Sequence, residues 1–298
     1  MLRGDDGYRS GFVSIVGRPN VGKSTLLNAF IGRKIAITSK KPQTTRNAIR
    51  GVLTGDGWQI VFVDTPGLHK PKTLLGKRLN DIVRRTLREV DAVVFMLDAT
   101  QPVGTGDAFV AREILRLQTP AICVVNKMDA VGNDKLVPQL EAADALGDWR
   151  EIIPISAAKG TKVDELQKII VSLLPEGPQF YPEDAVTDQP RDVLLAEIVR
   201  EKALQLTRQE VPHSIAVVTE EVVERDDGVT EIYATVFVER ESQKGIVIGK
   251  GGEMLKRIGT RAREDLEWIL GTKVFLKLQV KVAKDWQRDP RGLERLGY

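Results

Sequence analysis

Cysteine and histidine are nearly absent from the sequence, which has one cysteine, Cys123, and two histidines, His69 and His213. One thiol cannot form a disulfide within the chain, and no cysteine and histidine cluster has the spacing of zinc ligands. Cys123 lies in the apolar run AICVV, where we expect a small buried hydrophobic residue. The sequence therefore gives no sign of a disulfide framework or a zinc centre, and Cys123 is a poor candidate for a catalytic cysteine.

Long apolar segments are also missing. No apolar run reaches the roughly 18 residues that a membrane-spanning helix needs. The N-terminal MLRGDDGYRSG lacks the apolar region of a secretory signal, so we expect a cytoplasmic protein. The chain has 298 residues, of which 42% are hydrophobic and 29% charged. These values are typical of a soluble globular protein with two domains.

Charge is nearly balanced over the whole chain, at +3, but it is unevenly distributed. Residues 181–240 hold 6 basic and 14 acidic residues, a net charge of −8, whereas residues 241–298 hold 13 basic and 8 acidic residues, a net charge of +5. Charged residues on a solvated surface commonly give an imbalance of this size. A basic segment suits a polyanion only where a motif supports that interpretation.

The hydrophobic pattern changes at Pro175. From residue 11 to 174, continuous apolar runs alternate with amphipathic stretches such as Leu79–Val90, which predicts a mostly parallel α/β sheet with helices on both faces. A segment with four prolines follows, and it is typical of a linker. A helix, two alternating strands joined at Asp226–Gly228, further helices and a final strand predict a smaller α+β domain. We expect domains at residues 1–176 and 193–298, the second with a C-terminal tail, joined by a linker at 177–192.

The first motif is a phosphate-binding loop. The sequence GRPNVGKS at residues 17–24 fits G-x-x-x-x-G-K-[ST], between an apolar strand and a helix. In such a loop the backbone amides surround the phosphates, Lys23 contacts the β- and γ-phosphates, and the Ser24 hydroxyl is a ligand of Mg²⁺. The nucleotide-binding residues expected here are Gly17, Arg18, Pro19, Asn20, Val21, Gly22, Lys23, Ser24 and Thr25.

Three further motifs follow apolar strands. Asp64 begins DTPG, where the carboxylate can hold Mg²⁺ through water and the Gly67 amide can contact the γ-phosphate. NKMD follows AICVV, and its Asp129 can accept hydrogen bonds from N1 and N2 of guanine, which adenine does not offer. Ser156, Ala157 and Ala158 follow EIIPI and can give a backbone amide to guanine O6. The expected base-binding residues are Asn126, Lys127, Asp129, Ser156 and Ala157.

These motifs, in this order, resemble the translation-factor-like class of small GTPases. The resemblance makes the loop Lys40–Asn47 switch I, with Thr45 as the expected Mg²⁺ ligand and Thr44 as the alternative. It gives Ser24, Thr45 and Asp64 as metal ligands and Lys23, Ser24, Thr45, Asp64 and Gly67 as catalytic residues.

The residue after DTPG departs from one common pattern. Leu68 stands where Ras-type enzymes have a water-orienting glutamine. The chain resembles the GTPases with a hydrophobic residue there, many of which use an asparagine like Asn20 to hold K⁺ near the phosphates. We interpret the neighbouring His69 as a loop residue exposed to solvent, because catalysis by positioning needs no base.

The second domain contains VIGKGG at residues 247–252. Within the order helix–strand–strand–helix–GxxG–helix–strand, this resembles a type II KH domain, in which a GxxG loop clamps the backbone of single-stranded RNA. The expected RNA-binding residues are Ile248, Gly249, Lys250, Gly251 and Gly252.

The whole arrangement is similar to the Era family of ribosome-assembly GTPases, on the motifs GRPNVGKST, PQTTR, DTPGLHKP, NKMD, ISA and VIGKGG. That resemblance implies GTP and GDP binding with Mg²⁺, binding near the 3′ end of small-subunit ribosomal RNA, and a role in assembly of that subunit. It also implies peripheral association with the inner membrane, and we expect a monomer. Two alternatives remain at this point: a GTPase that regulates tRNA modification or a membrane-linked process, and a binding module with an inactive nucleotide site.

Overall fold

The computed structural model describes residues 7–39, 41, 44–46, 48–68, 73–207 and 211–298, without the side chains of residues 212 and 213. The chain forms two compact units. The first comprises residues up to 36, 45–70 and 79–188, and the second comprises 37–44, 71–78 and 189–298. The second unit thus includes two short segments from the N-terminal part of the sequence. The domain bounds expected from the sequence remain a prediction.

The first unit is built on a six-stranded sheet in the order β2–β3–β1–β4–β5–β6. Its strands are β1 (Arg9–Gly17), β2 (Ile49–Gly55), β3 (Trp58–Asp64), β4 (Ala92–Asp98), β5 (Ala121–Asn126) and β6 (Glu151–Pro154). All neighbouring pairs are parallel except β2 and β3, which form an antiparallel pair at the sheet edge. The carboxyl ends of β1, β3, β4 and β5 therefore point in one direction, toward the loops with the nucleotide motifs.

Helices cover both faces of this sheet. They are α1 (Lys23–Ile31), α2 (Leu74–Leu87), of which residues 79–87 belong to this unit, α3 (Thr105–Leu115), α4 (Asn133–Asp144) and α5 (Val163–Leu173). Successive residues of a strand point to opposite faces, and β5 shows this directly. Ile122 and Val124 pack in the apolar cluster with α1 and α5, whereas Cys123 and Val125 pack in the cluster with α3 and α4.

The proline-rich segment after α5 lies along the sheet of the first unit. The Gly177 amide donates to the Tyr8 carbonyl at 2.9 Å, and the Val52 amide donates to the Val186 carbonyl at 3.0 Å. The buried side chain of Gln59 bonds to the backbone of Phe180 and Tyr181. Residues 177–188 are therefore held by backbone and side-chain hydrogen bonds, although they form no helix or strand.

The second unit has a three-stranded sheet in the order β7–β8–β9. Its elements are α6 (Arg191–Leu206), the short α7 (Val211–Ser214), β7 (Ala216–Glu224), β8 (Val229–Val238), α8 (Glu241–Ile248), α9 (Glu253–Leu270), β9 (Lys273–Val282) and α10 (Pro290–Arg295). β7 and β8 are antiparallel, and β8 and β9 are parallel. Alternate residues of β8 are buried against α6 and α9, including Ile232, Ala234 and Val236.

The predicted fold class is confirmed: a mostly parallel α/β unit with helices on both faces, followed by a smaller α+β unit in the element order of a type II KH domain. None of the helices in the described part of the chain combines the length and the apolarity that a membrane crossing requires.

Candidate nucleotide and RNA sites

The loop between β1 and α1 has the backbone of a phosphate cradle. Gly22, with φ of 106°, lies directly before α1, so the helix N-terminus and its amides face the loop. A side chain at Gly22 would come within 2.3 Å of Nδ2 of Asn126, so glycine is required for the close approach of two motifs. Asn20 also has a left-handed backbone, with φ of 68°, which asparagine tolerates better than most residues.

Lys23 is buried at the start of α1, and its Nζ donates to the carbonyl oxygens of Gly17 at 3.3 Å and Arg18 at 3.0 Å. Burial lowers the pKa of Lys23 to about 8, and the negative charge of Asp64 acts in the opposite direction. The ammonium group is thus folded back onto its own loop. Phosphate oxygens are stronger partners than these carbonyl groups.

Ser24, Thr45 and Asp64 converge at the carboxyl end of β3. Oγ of Ser24 lies 2.9 Å from Oγ1 of Thr45 and donates to Oδ2 of Asp64 at 2.7 Å, and Oγ1 of Thr45 lies 3.4 Å from the same carboxylate oxygen. Thr44 differs, since its hydroxyl donates to the Lys41 carbonyl at 2.6 Å. The geometry therefore favours Thr45 over Thr44 as the third member of the cluster.

This cluster fits Mg²⁺ by its chemistry, because hydroxyl and carboxylate oxygens are the ligands that this ion prefers. Asp64 is fully buried, and its Oδ1 has no hydrogen-bond partner in the described part of the chain. Burial raises the pKa of Asp64, while Lys23, Ser24 and Thr45 oppose that rise. A buried carboxylate with one unpartnered oxygen is an arrangement that a bound cation would stabilise.

Gly67 and Leu68 complete this side of the site. A side chain at Gly67 would come within 2.8 Å of the Pro19 nitrogen, so DTPG and the phosphate-binding loop lie in close contact. Leu68 is buried in the apolar cluster that includes Val16, and its side chain has no group that can orient water. His69 and residues 40, 42, 43 and 47 of the expected switch I lie outside the described residues.

Asn126 connects the base-reading loop to the phosphate-binding loop. Its Nδ2 donates to the Val21 carbonyl at 2.8 Å, and its Oδ1 accepts from the Ala157 amide at 3.0 Å. Lys127, with φ of 68°, makes a second connection, because its Nζ donates to the Asn20 carbonyl at 3.0 Å. The side chains of Asn126 and Lys127 thus hold NKMD, the phosphate-binding loop and residues 156–158 together.

Asp98 is a site residue that the sequence analysis missed. Its carboxylate lies 2.5 Å from Nζ of Lys127. Burial acts to raise the pKa of Asp98, but hydrogen bonds from Lys127 and Thr100 hold it below its usual range. Asp98 ends β4 and is in register with Asn126 on β5. Its position as a polar residue at a strand end is the signal that points to it.

Asp129 lies in a single helical turn, Met128–Ala130, and is exposed. The amides of Ser156 and Ala157 already donate within the protein, to the Thr161 carbonyl and to Asn126. The Ala158 amide has no acceptor among the described residues. Of the three amides in this segment, Ala158 therefore offers the free donor.

A cavity of about 240 Å³ borders the phosphate-binding loop, with Arg18, Asn20, Asp98, Asp107 and Lys127 among its lining residues. Arg18 pairs with Asp107 across it at 3.0 Å. The lining is therefore charged, and it includes residues of both the phosphate-binding loop and NKMD.

The candidate RNA-binding loop lies between α8 and α9. Gly249, Gly251 and Gly252 all have positive φ, at 75°, 61° and 84°, a conformation that favours glycine. A side chain at Gly249 would come within 2.8 Å of the Met254 nitrogen, whereas Gly251 faces open space. Lys250 is exposed, and Ile248 is half-buried at the end of α8. The loop thus presents backbone and a cation to solvent beside a partly apolar residue.

Residues 12–127 match the family described as 50S ribosome-binding GTPase, and residues 210–287 match the KH domain family. The chain is 51% identical to GTPase Era of Streptomyces coelicolor, covering 98% of this chain and 95% of that protein. It is 52% identical to GTPase Era of Mycobacterium tuberculosis, with coverage of 98% and 99%. The chain belongs to the Era family of GTPases.

Two solved Era structures share this fold. A crystal structure of Aquifex aeolicus Era bound to GDP.AlF4⁻ is 45% identical and superposes with a TM-score of 0.94, covering 97% of this chain and 99% of that one. Era in complex with MgGDPNP and nucleotides 1506–1542 of 16S ribosomal RNA superposes with a TM-score of 0.93 at the same identity and coverage. The predictions of guanine nucleotide binding and GTP hydrolysis are confirmed for this Era-family chain. The roles of individual site residues stay predictions.

Proposed function

We propose that Lys23, Ser24, Thr45, Asp64 and Gly67 carry GTP hydrolysis in this protein. The convergence of Ser24, Thr45 and the unpartnered carboxylate oxygen of Asp64 supports the assignment. Bound Mg²⁺ would neutralise charge on the phosphate oxygens. Lys23 would exchange its bonds to the loop carbonyls for bonds to phosphate, and the Gly67 amide would face the γ-phosphate.

Guanine recognition is the proposed task of the loops after β5 and β6. Asp129 would accept from N1 and N2 of guanine, and a backbone amide of the 156–158 segment would donate to O6. Ser156 and Ala157 would line the guanine base, and the Ala158 amide is the free donor of this segment. Asn126 and Lys127 would hold the base-reading loop against the phosphate-binding loop, as their hydrogen bonds to Val21 and Asn20 suggest.

K⁺ is the proposed substitute for a water-orienting side chain or an arginine finger. Leu68 is buried and apolar, so it cannot position water by hydrogen bonding. Asn20 lies in the phosphate-binding loop with a left-handed backbone. A monovalent cation held there would neutralise transition-state charge, a contribution worth about 10³–10⁵ in rate where arginine supplies it.

The second unit is proposed to bind single-stranded ribosomal RNA near the 3′ end of the small-subunit RNA, through residues 248–252. The observation that carries this proposal is the loop of three glycines with positive φ around an exposed Lys250. Such backbone allows close approach to phosphates, and GxxG loops bind RNA in this way. The family relative solved with nucleotides 1506–1542 of 16S ribosomal RNA supports the choice of RNA.

In the cell, this combination fits a role in small ribosomal subunit assembly, as a monomer in the cytoplasm with peripheral contact with the inner membrane. A role in the chemistry of tRNA modification is not favoured. Cys123, the one cysteine, is buried, and that burial raises the pKa of its thiol. The chain's cysteine is therefore a poor nucleophile.

A charge-reversal pair tests the RNA site. Lys250→Asp with Gly251→Asp puts negative charge in the loop, and the space around Gly251 admits the new side chain without a clash. The matched control is Gly271→Asp with Lys273→Asp. Gly271 also has positive φ and open surroundings, but it lies at the other end of α9, about 27 Å away for 18 residues.

The measurement is the affinity for a 3′-terminal 16S RNA oligonucleotide at several salt concentrations. We expect the loop variant to lose at least about tenfold in affinity, with a weaker salt dependence, because phosphate contacts are lost. The control should bind almost as the unmodified protein does, and GTP turnover without RNA should be unchanged in both. Equal losses in the two variants would show that general charge, and not the loop, governs binding.

A further inference from the structure

The carboxyl end of β4 lies beside the base-reading loop of the first unit. Asp98, the last residue of β4, is in register with Asn126 of β5. The amide of the next residue, Ala99, donates to the Asn126 carbonyl at 2.8 Å. The pairing of two adjacent parallel strands therefore fixes where Asp98 stands relative to Lys127, the residue that follows Asn126.

The two carboxylate oxygens of Asp98 have separate partners. Oδ1 accepts hydrogen bonds from the amide of Thr100 at 2.9 Å and from its hydroxyl at 2.6 Å. Oδ2 lies 2.5 Å from Nζ of Lys127. Because the bonds from Thr100 already orient the carboxylate, its second oxygen meets Lys127 with little further loss of side-chain entropy.

Two features of Lys127 make its position costly without a partner. Its backbone has φ of 68°, in the left-handed region that lysine seldom adopts unless other contacts hold it there. Its side chain is 36% exposed, and a lysine stem can take many rotamers in solvent. Nζ reaches the Asn20 carbonyl, at 3.0 Å, while the stem points toward the phosphate-binding loop. Asp98 draws the ammonium group to that position.

The charge of Asp98 makes it a stronger partner than a neutral acceptor. Although burial acts to raise the pKa of Asp98, hydrogen bonds from Lys127 and Thr100 keep it below its usual range, so the carboxylate is ionised at neutral pH. An unpaired carboxylate beside the phosphate-binding loop would repel a bound phosphate, whereas the pair with Lys127 is neutral overall. The pair can therefore hold the loops together without opposing the nucleotide.

We propose that Asp98 is a positioning residue for guanine nucleotides, which holds Lys127 where it joins the base-reading loop to the phosphate-binding loop. This inference rests on the proposed role of the base-reading loop, in which Asp129 reads guanine. GDP must contact both loops, whereas inorganic pyrophosphate contacts the phosphate-binding loop alone. Asp98 should therefore matter for GDP and hardly at all for pyrophosphate. A purely structural role would weaken both ligands equally.

The test compares variants of the full chain by their dissociation constants for GDP and for inorganic pyrophosphate, both with saturating Mg²⁺. Asp98→Asn removes the charge and keeps the size of the side chain. Lys127→Met removes the ammonium group and keeps the stem, and the third variant combines the two changes.

The matched control is Asp91→Asn. Asp91 directly precedes β4 and is half-buried, as Asp98 is. Its carboxylate accepts from the Phe12 amide at 2.7 Å. It lies at the other end of the strand, about 23 Å away for seven residues, so it tests the loss of a bonded carboxylate far from the nucleotide motifs.

We expect the preference for GDP over pyrophosphate to fall about five- to tenfold in Asp98→Asn. This size lies between that of an exposed ion pair and that of a buried hydrogen bond to a charged group. Lys127→Met should lower the preference at least as much, and adding Asp98→Asn to it should cause no further loss, because the two residues act as one unit. Asp98→Glu, which keeps the carboxylate, should recover part of the preference, and Asp91→Asn should leave it unchanged.

A loss of preference in Lys127→Met without a loss in Asp98→Asn would overturn the role of Asp98 and leave that of Lys127 intact. An unchanged preference in Lys127→Met would overturn the proposed role of Lys127, and this inference with it. Equal losses for GDP and pyrophosphate in Asp98→Asn, or a further loss in the combined variant, would show that Asp98 does not act through Lys127.

Discussion

Asn126 joins three motifs of the nucleotide site, so its replacement by alanine should separate them. The side chain is almost fully buried and makes one hydrogen bond as donor to the Val21 carbonyl and one as acceptor from the Ala157 amide. Asn126→Ala removes both partners at once and leaves two buried backbone groups unpaired.

The magnitude follows from these two groups. Each unpaired buried polar group costs about 1–3 kcal/mol of free energy. The two groups together should therefore destabilise the packed arrangement of the loops by about 2–6 kcal/mol. The free protein can relax, whereas a bound nucleotide needs the base-reading and phosphate-binding loops together. We therefore expect GDP affinity to fall by about 30-fold or more, which corresponds to about 2 kcal/mol.

The assay is GDP binding by calorimetry, beside urea unfolding of the nucleotide-free protein. The matched control is Gln59→Ala, because Gln59 is also buried and bonds to the backbone of Phe180 and Tyr181. Gln59 is the second residue of β3, at the end opposite the nucleotide motifs. The control should lose comparable unfolding free energy with GDP affinity nearly unchanged. Equal GDP affinity in the two variants would refute the view that Asn126 holds the site together.

Three other outcomes are expected. Asp129→Asn replaces an acceptor by a donor opposite guanine N2, so competition binding should show a change of preference from GTP toward XTP; retained GTP preference would show that Asp129 does not read the base. GTP turnover at equal ionic strength should be faster in K⁺ than in Na⁺, and Asn20→Ala should abolish this difference; equal rates in both salts would leave Asn20 only a structural role. Because burial raises the pKa of the Cys123 thiol, alkylation should be slow in the native protein and fast only after unfolding, and rapid native labelling would contradict its burial.

The nucleotide site was largely predictable because its motifs follow continuous apolar strands. Parallel strands place their carboxyl ends at one edge of a sheet, so Gly17, Asp64 and Asn126 had to lie near one another. Asp98 obeys the same rule at the end of β4. It was missed because a single aspartate at a strand end has no motif around it.

Two elements of the first unit were not predicted. β2 has the sequence IRGVLTG, with Gly51 inside it, and glycine argues against a strand. The reason for Gly51 is packing, since a side chain there would come within 2.7 Å of Leu27. Pro138 likewise argues against a helix, yet it lies within α4.

The contacts of residues 37–44 could not be read from the sequence at all. Arg200 and Thr44 are 156 positions apart, and Arg200 belongs to no motif. In the periodic pattern of α6, Arg200 is one of several charged residues that a solvated helix face would explain. Only the fold shows that it is buried and bonded to a backbone carbonyl.

The most direct test of the account is ultraviolet crosslinking of the full chain to cellular RNA, with the crosslinked nucleotides mapped by sequencing. We expect crosslinks concentrated near the 3′ end of the small-subunit ribosomal RNA, and their loss when Lys250 and Gly251 are both changed to aspartate. Crosslinks concentrated on tRNA, or crosslinks at the 3′ end that persist in the loop variant, would contradict it.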